Sequence, residues 1–250
     1  MPQSVGFHAL AGIPEIRAGD DLAMLIRAAL ARGGFTLRAD DLLVVAQKII
    51  SKAEGRQRRL DSVTPSAAAR ELALTVNKDP RFVELVLRES SEILRAVPNI
   101  LITRHRCGWV MANAGIDRSN LEHADESVLL LPEDCDGSAA RLRAALAPEN
   151  PAIIISDSFG RPWREGTVNV ALGVAGYAAL LDQRGAVDRH GRTLQTTQPA
   201  LADAVAAGAG LVMGEAIEGT PVVLVRGLDF SGPLADGRAL VRSLEGDLFR

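Results

Sequence analysis

Asp40-Asp41-Leu42-Leu43-Val44-Val45-Ala46-Gln47-Lys48-Ile49-Ile50-Ser51-Lys52-Ala53-Glu54-Gly55 decides the class of fold. Leu42 to Ala46 is a short, continuous apolar run behind two aspartates, the pattern of a buried strand. The period then changes. Lys48 and Lys52 stand four apart, which on a helix puts both on one side. The same switch recurs outward from this stretch. Ile153-Ile154-Ile155 is a second buried strand and runs into Ser156-Asp157-Ser158. Val222 to Val225 is a third, introduced by Gly219-Thr220-Pro221, and Ile100 to Ile102 and Val128 to Leu131 are shorter ones. Helical stripes lie between them. Leu22, Leu25, Ile26, Ala29 and Leu30 form one, stopped by Gly33-Gly34. Leu72, Ala73 and Val76 belong to a helix starting near Ser66. Phe82, Leu85, Val86, Glu89 and Ile93 fit another, with Asp79 as N-cap and Pro80 at the first helical position. Leu201, Val205, Gly208 and Val212 mark a late helix whose small residues predict close backbone packing. Interleaved strands and helices give an α+β (mixed α/β) fold. The turns at Pro132 to Gly137 and Pro148 to Pro151 are the expected lobe boundaries.

The 250 residues are 47% hydrophobic and 24% charged, enough to bury a substantial core without disulfide or metal staples. Twenty-eight basic and 31 acidic side chains leave a net charge of -3, which argues against nucleic acid as a partner. Cys107 and Cys135 make neither a disulfide framework nor a paired metal motif and fit two reduced thiols. Met1-Pro2-Gln3-Ser4 lacks the basic start of a signal peptide. The longest nearly apolar stretch, Val168 to Leu181, is interrupted by Asn169 and is shorter than the ~20 residues that span a bilayer. A cytoplasmic protein without a membrane partner is expected.

No Gly-x-x-x-x-Gly-Lys-Ser/Thr occurs, so this is not a P-loop chain. Gly208, Gly210 and Gly214 follow a helix, not a strand, at the wrong spacing for a Rossmann fingerprint. His8, His105, His123 and His190 form no metal pair. The informative residues are polar ones at chain junctions. Asp157 and Ser158 follow a buried strand, Asp117 lies in Asn113-Ala114-Gly115-Ile116-Asp117 with Asn120 beyond it, and Glu215 follows Met213-Gly214. Each has a local explanation: a turn with an Asp cap before Gly160, a turn at Asp117, and a helix-ending glycine at Gly214. Together, three acids and a hydroxyl suit Mg²⁺ or Mn²⁺, which take oxygen ligands and bridge substrate phosphates. Lys48, Lys52, Arg161 and Arg164 suit phosphate oxygens, the lysines alternatively forming a solvated face. Gly166-Thr167-Val168-Asn169 reads as a polar break or as a turn entering a core segment.

Several of these motifs, in one order, resemble the coenzyme F420-0:L-glutamate ligase (F420-0:gamma-glutamyl ligase) family, GTP-dependent enzymes that add glutamate to a deazaflavin coenzyme precursor. The resemblance runs from Gly12-Ile13-Pro14-Glu15-Ile16 through Ser51-Lys52-Ala53-Glu54-Gly55 and Asn113 to Asp117 with Ser119-Asn120. It continues through Leu129-Leu130-Leu131-Pro132, Asp136-Gly137-Ser138, Ser156-Asp157-Ser158-Phe159-Gly160-Arg161, Met213-Gly214-Glu215 and Val225-Arg226-Gly227. The resemblance implies a two-lobed α+β fold particular to the family, neither P-loop nor Rossmann, in one ligase domain over residues 1–250. It implies a homodimer, and no nitroreductase-like extension of the kind fused to some bacterial relatives. It implies two divalent cations, Mn²⁺ or Mg²⁺, with Asp117 and Asp157 at one and Ser158 and Glu215 at the other, and optionally a monovalent K⁺. For GTP it implies Ile13, Pro14, Glu15, Ile16, Gln47, Lys48, Lys52, Asn120 and the loop Met213, Gly214, Glu215, Ala216, Ile217, Glu218, Gly219, Thr220. Asp157, Lys52 and Arg161 would serve the chemistry: activation of a carboxylate by GTP, attack by the amine of L-glutamate, and release of GDP and phosphate. Some members carry Ser-Thr at the positions of Gln47-Lys48 and Thr-Asn at those of Ser158-Phe159. A metal-dependent phosphohydrolase or phosphotransferase, and a non-catalytic nucleotide-binding module, are the competing readings.

Overall fold

The computed structural model describes residues 4–119, 126–228 and 233–247. They cluster into two compact units. The first comprises the described parts of Met1–Glu15, Asp21–Ile49 and Asp134–Arg250, and the second those of Ile16–Asp20 and Ile50–Glu133. In sequence terms, the second unit is inserted largely between two strands of the first. The passage at Glu133–Asp134 falls in the segment Pro132 to Gly137, which is not all turn, since a helix begins at Cys135, whereas Pro148 to Pro151 lies inside the first unit.

The first unit is built on a five-stranded sheet in the order β1-β10-β2-β8-β9. Its strands are β1 (Gly6–Ala9), β2 (Leu42–Ala46), β8 (Ala152–Arg161), β9 (Arg164–Ala175) and β10 (Val222–Arg226). β2 and β8 run parallel, with Leu42 opposite Ala152 and Ala46 opposite Ser156. The other pairings are antiparallel. Alternation along the strands sends Leu42, Val44, Ala152, Ile154, Ala171, Val223 and Val225 to one face. There they pack with Ala202, Val205, Ala206, Ala209 and Met213 of helix α6 (Leu201–Met213). The small residues of α6 do allow close packing: a Cβ at Gly208 would stand 2.5 Å from the Phe7 ring of β1. Helix α1 (Leu22–Arg32) is capped by Asp21, which accepts from Met24 N, and ends at Gly33. Helix α5 (Cys135–Ala145) is capped by Asp134. β9 is an edge strand, and two of its amides donate to half-buried carboxylates: Ala171 N to Asp203 (2.9 Å) and Val174 N to Asp136 (2.8 Å). Burial raises both carboxyls above their ordinary range, only partly offset by those bonds.

Ser156-Asp157-Ser158 is no turn: β8 continues to Arg161, and Gly166 to Asn169 belongs to β9, because each polar residue keeps a cross-strand partner. Period-2 polar residues in an exposed hairpin lack the apolar signal that marks a strand.

In the second unit, α3 (Ala67–Val76) starts behind Ser66, whose hydroxyl accepts from Ala69 N, and α4 (Pro80–Glu89) starts behind Asp79. Ile93 lies not on α4 but in β4 (Ser90–Val97), since α4 ends at Glu89. β4, β5 (Ile100–His105) and β6 (Val110–Ala112) form one sheet, and β3 (Gln57–Arg59) pairs with β7 (Ser127–Leu129). Leu60, Val76, Phe82, Val83, Val86, Leu101, Ile116 and Val128 fill the core. A charged cluster lies at its side, with Arg56, Glu89 and His105 buried and Glu133 exposed. Arg56 donates to Leu131 O (2.8 Å), Glu133 (2.8 Å) and Glu89 (3.0 Å). His105, with no exposed surface, accepts from Cys107 N at Nδ1, and its Nε2 stands 3.5 Å from Glu89. That distance is the outer limit of a hydrogen bond, so the attraction is mainly electrostatic.

Burial alone would raise the Glu89 carboxyl, but His105, Arg56 and Arg106 outweigh it and bring it down to about 2. A carboxyl depressed on folding contributes stability above its unfolded value that disappears as pH falls through the folded one. Acid titration followed by circular dichroism should therefore show a loss of stability between about pH 4.5 and pH 2, and Glu89→Gln should flatten it. Removing one partner of a buried pair should also lower stability at pH 7 by about 3–5 kcal/mol, since Arg56 loses its most buried partner.

Candidate functional site

The register of β2 on β8 sets the place of the site in the first unit. Ala46 faces Ser156, so Gln47, the next residue, begins helix α2 (Gln47–Ala53) level with Asp157. Ala46 N also bonds Pro221 O (2.8 Å), which ties in the loop before β10. Leu10 N bonds Val222 O (2.9 Å), so the segment after β1 leaves at this same end. Gln47, Lys48, Asp157, Ser158 and the loop from Met213 to Thr220 thus belong to one end of one sheet, and the segment that carries Ile13, Pro14 and Glu15 leaves from it. Crevices at the carboxyl ends of parallel strands are where α/β sheets bind ligands.

The side chains there differ in state. Gln47 is buried, Lys48, Asp157, Ser158 and Ile13 are half-buried, and Pro14 and Glu15 are exposed. Arg161 lies near the hairpin tip, opposite Arg164, and donates to Glu165 O at 3.3 Å. In the loop, Glu218 accepts from Ala216 N (2.8 Å). Its own backbone N–H and that of Ala216 hold its carboxyl below the usual range. It folds back over Gly214, whose φ of 75° and lack of a Cβ make room, since a Cβ would stand 2.3 Å from the Glu218 carboxyl carbon. Glu218 therefore shapes the loop, whereas exposed Glu215 has no hydrogen-bond partner among the described residues. Thr220 Oγ1 donates to Met213 O (2.8 Å), with Val212 O at 3.3 Å, and anchors the loop to the end of α6.

The second unit holds the other candidates. Ile16 is buried and Lys52, in the last turn of α2, is half-buried. Asp117 pairs through its backbone with Leu129 (3.0 and 2.9 Å), and its carboxylate accepts from Ser119 N (2.8 Å) and Ser119 Oγ (2.9 Å). Asn113, Ala114 and Gly115, with φ of 53°, 54° and 71°, lead into it. A left-handed alanine is costly, and such backbone concentrates at functional sites. Asn120 lies outside the described residues.

Two residues escape the sequence reading. Ser156 is buried and its Oγ has no hydrogen-bond partner among the described residues. Asn169, directly opposite Ser158, is also buried. The one signal for Asn169 is that it interrupts an apolar run; Ser156 has no signal beyond its adjacency to Asp157. Asp157, Ser158, Ser156 and Glu215 are all oxygen donors, the set a hard divalent cation takes. Among the described residues, no three His, Cys, Asp or Glu side chains form a metal cage, so a cation here would need water or substrate oxygens as well.

These features define an α+β protein, without P-loop or Rossmann fingerprint, that gathers oxygen donors and a basic helix at one end of a mixed sheet. Residues 12–227 match the family model for F420-0:Gamma-glutamyl ligase. The chain is 46% identical over 244 residues to a coenzyme F420:L-glutamate ligase of Methanothermobacter thermautotrophicus, covering 96% of each chain. It is 45% identical over 244 residues to one from Methanopyrus kandleri, covering 94% of each. It is 44% identical over 253 residues to one from Halobacterium salinarum, covering 97% of this chain and 95% of the relative. The chain belongs to the F420-0:gamma-glutamyl ligase family. Among the described residues no helix is long and apolar enough to cross a membrane.

Thr220→Val keeps the shape and removes the hydroxyl that holds the loop to α6. It should cost about 1 kcal/mol of stability in thermal or urea melts. Amide exchange should also speed up across residues 214–219, while the strands around Leu224 stay protected.

Proposed function

We propose that this chain is a GTP-dependent ligase that joins L-glutamate to coenzyme F420-0 and then adds further γ-linked glutamates, in coenzyme F420 biosynthesis. One observation carries the reading beyond family membership. The β2–β8 register collects Gln47-Lys48, Asp157-Ser158 and the Met213–Thr220 loop at one sheet end. Those are segments where a nucleotide's phosphates and their counter-ions need partners.

The chemistry follows from the substrate. A carboxylate is a poor electrophile, so amide formation needs an activated acyl group. A carboxylate oxygen attacks the γ-phosphorus of GTP, the bond to the β-phosphate oxygen breaks, and GDP leaves. The glutamate amine, after losing a proton to solvent, attacks the acyl carbon and expels phosphate. Phosphoryl transfer depends mostly on positioning and electrostatics. Lys52 and Arg161 are proposed to neutralise and orient phosphate oxygens. Gln47, Lys48, Ile13 to Ile16, Asn120 and the Met213–Thr220 loop are proposed to hold the nucleotide. Asp157, Ser158 and Glu215 in the first unit, and Asp117 in the second, are the proposed ligands of divalent cations. Mg²⁺ or Mn²⁺ would offset the charge that builds up between the two reacting oxygens. The proposal includes a cytoplasmic homodimer and an optional K⁺.

The deciding experiment combines purified protein, GTP, Mn²⁺ or Mg²⁺, L-glutamate and the deazaflavin precursor, with products read by mass spectrometry. A glutamyl adduct and GDP in equal amounts are expected. GTP hydrolysis that ignores both glutamate and the precursor would point instead to a phosphohydrolase. Asp157→Asn should nearly abolish ligation without lowering the melting temperature. Lys52→Ala should raise the GTP concentration needed by about 10- to 150-fold, the worth of one charge-assisted hydrogen bond, and Lys48→Ala should raise it less. Equal damage from the two lysine variants would refute the role given to Lys52.

A further inference from the structure

Three neighbouring polar side chains on one face of the β8–β9 hairpin have no hydrogen-bond partner among the described residues. Ser156 pairs with Ala171 and Ser158 with Asn169, and Ala171 packs with α6, so alternation puts Ser156, Ser158 and Asn169 on the α6 face. Ser156 Oγ is buried without a partner, and neither Ser158 nor Asn169 has one among the described residues. Buried polar groups normally do have partners, so a group left open calls for an explanation such as an ion or water. The Asn169 side chain is also wedged against helix backbone. A Cβ at Gly210 would stand 2.3 Å from Asn169 Oδ1 and 2.8 Å from its Cγ. Glycine inside a helix is destabilising, so its presence in the last turn of α6 calls for such a packing reason. Glu215 follows one turn later, just past the end of α6, where the helix dipole favours positive charge.

We propose that Asn169 is a further oxygen donor to the divalent cation assigned above to Ser158 and Glu215. The inference rests on that assignment. Side chains directly opposite on antiparallel strands have Cβ atoms about 4.5–5.5 Å apart, close enough for a hydroxyl and a carboxamide to share one ion. An amide oxygen is an ordinary ligand of a hard cation and adds no charge. Gly210 leaves the space in which the carboxamide sits, and Ser156 supplies a second neutral oxygen beneath it.

The test is Mn²⁺ titration of the full chain in the presence of excess GDP, with free Mn²⁺ read by electron paramagnetic resonance. Neither glutamate nor deazaflavin is needed, and thermal melting controls for the fold. Asn169→Ala should weaken one class of bound Mn²⁺ by about 10- to 100-fold. Glu215→Gln should weaken the same class, and the double variant should lose little more than the worse single one. Asn169→Asp should retain or tighten binding, because it keeps an oxygen at that position. Gly210→Ala should weaken binding in the wild-type background and do nothing further with Asn169→Ala. If Glu215→Gln weakens Mn²⁺ binding and Asn169→Ala does not, the role of Asn169 is overturned while the cation assignment stands. Equal losses in Asn169→Ala and Asn169→Asp would also overturn it, marking the residue as packing alone. A wild-type chain that binds no Mn²⁺ overturns the cation assignment and this inference with it.

Discussion

Main-chain hydrogen bonds between two parallel strands hold Ala46 opposite Ser156, and the layout of the first unit depends on that register. Parallel neighbours need a long crossover, and here the crossover contains most of the second unit and helix α5. Both strands therefore finish at the same end of the sheet. One continues as α2 and the other as a polar hairpin, so side chains more than 100 positions apart become neighbours. Slipping the register by one residue would exchange the faces that Asp157 and Ser158 now occupy and send the apolar residues of β8 out of the α6 core.

The hairpin is the least ordinary part of that sheet. β8 and β9 run on past the apolar core, and the pairing shifts register between Ile155 and Ser156. Such bulges re-aim side chains and recur beside active sites. The edge of β9 is controlled by carboxylates from α5 and α6, which take its Ala171 and Val174 amides and leave less backbone open to unwanted pairing.

Buried polarity takes two forms, and atoms without a hydrogen-bond partner among the described residues occur in both units, at Thr103, His105, Trp109 and Asn113 as well as at Ser156. Around Arg56 the charges are matched: Glu89 and Glu133 face it, Leu131 O takes its Nε, and His105 stands behind Glu89. Such a cluster is expensive to break by removing one partner, because the other charge is left buried and unpaired. At Ser156, Ser158 and Asn169 polar groups are buried or half-buried without hydrogen-bond partners among the described residues. Stability alone would favour apolar residues there, so an arrangement of this kind is better explained by something the protein binds.

The sequence by itself determined what local chemistry can determine. Apolar runs at Leu42 to Ala46, Ile153 to Ile155 and Val222 to Val225 are strands, because a buried strand needs a continuous apolar run. Ser66, Asp79 and Gly33 mark helix ends, because caps satisfy backbone groups within a few residues. Ordered motifs from Gly12 to Gly227 were enough to indicate the family, since side-chain identity at many fixed positions is itself sequence information. Only the tertiary structure decided that Ser156-Asp157-Ser158 is strand, that Ile93 has left its helix, and that Asn169 meets Ser158 beneath Gly210. Each of those depends on a partner far along the chain. A cross-strand hydrogen bond or a missing Cβ opposite a carboxamide leaves no periodic trace in the residues that form it.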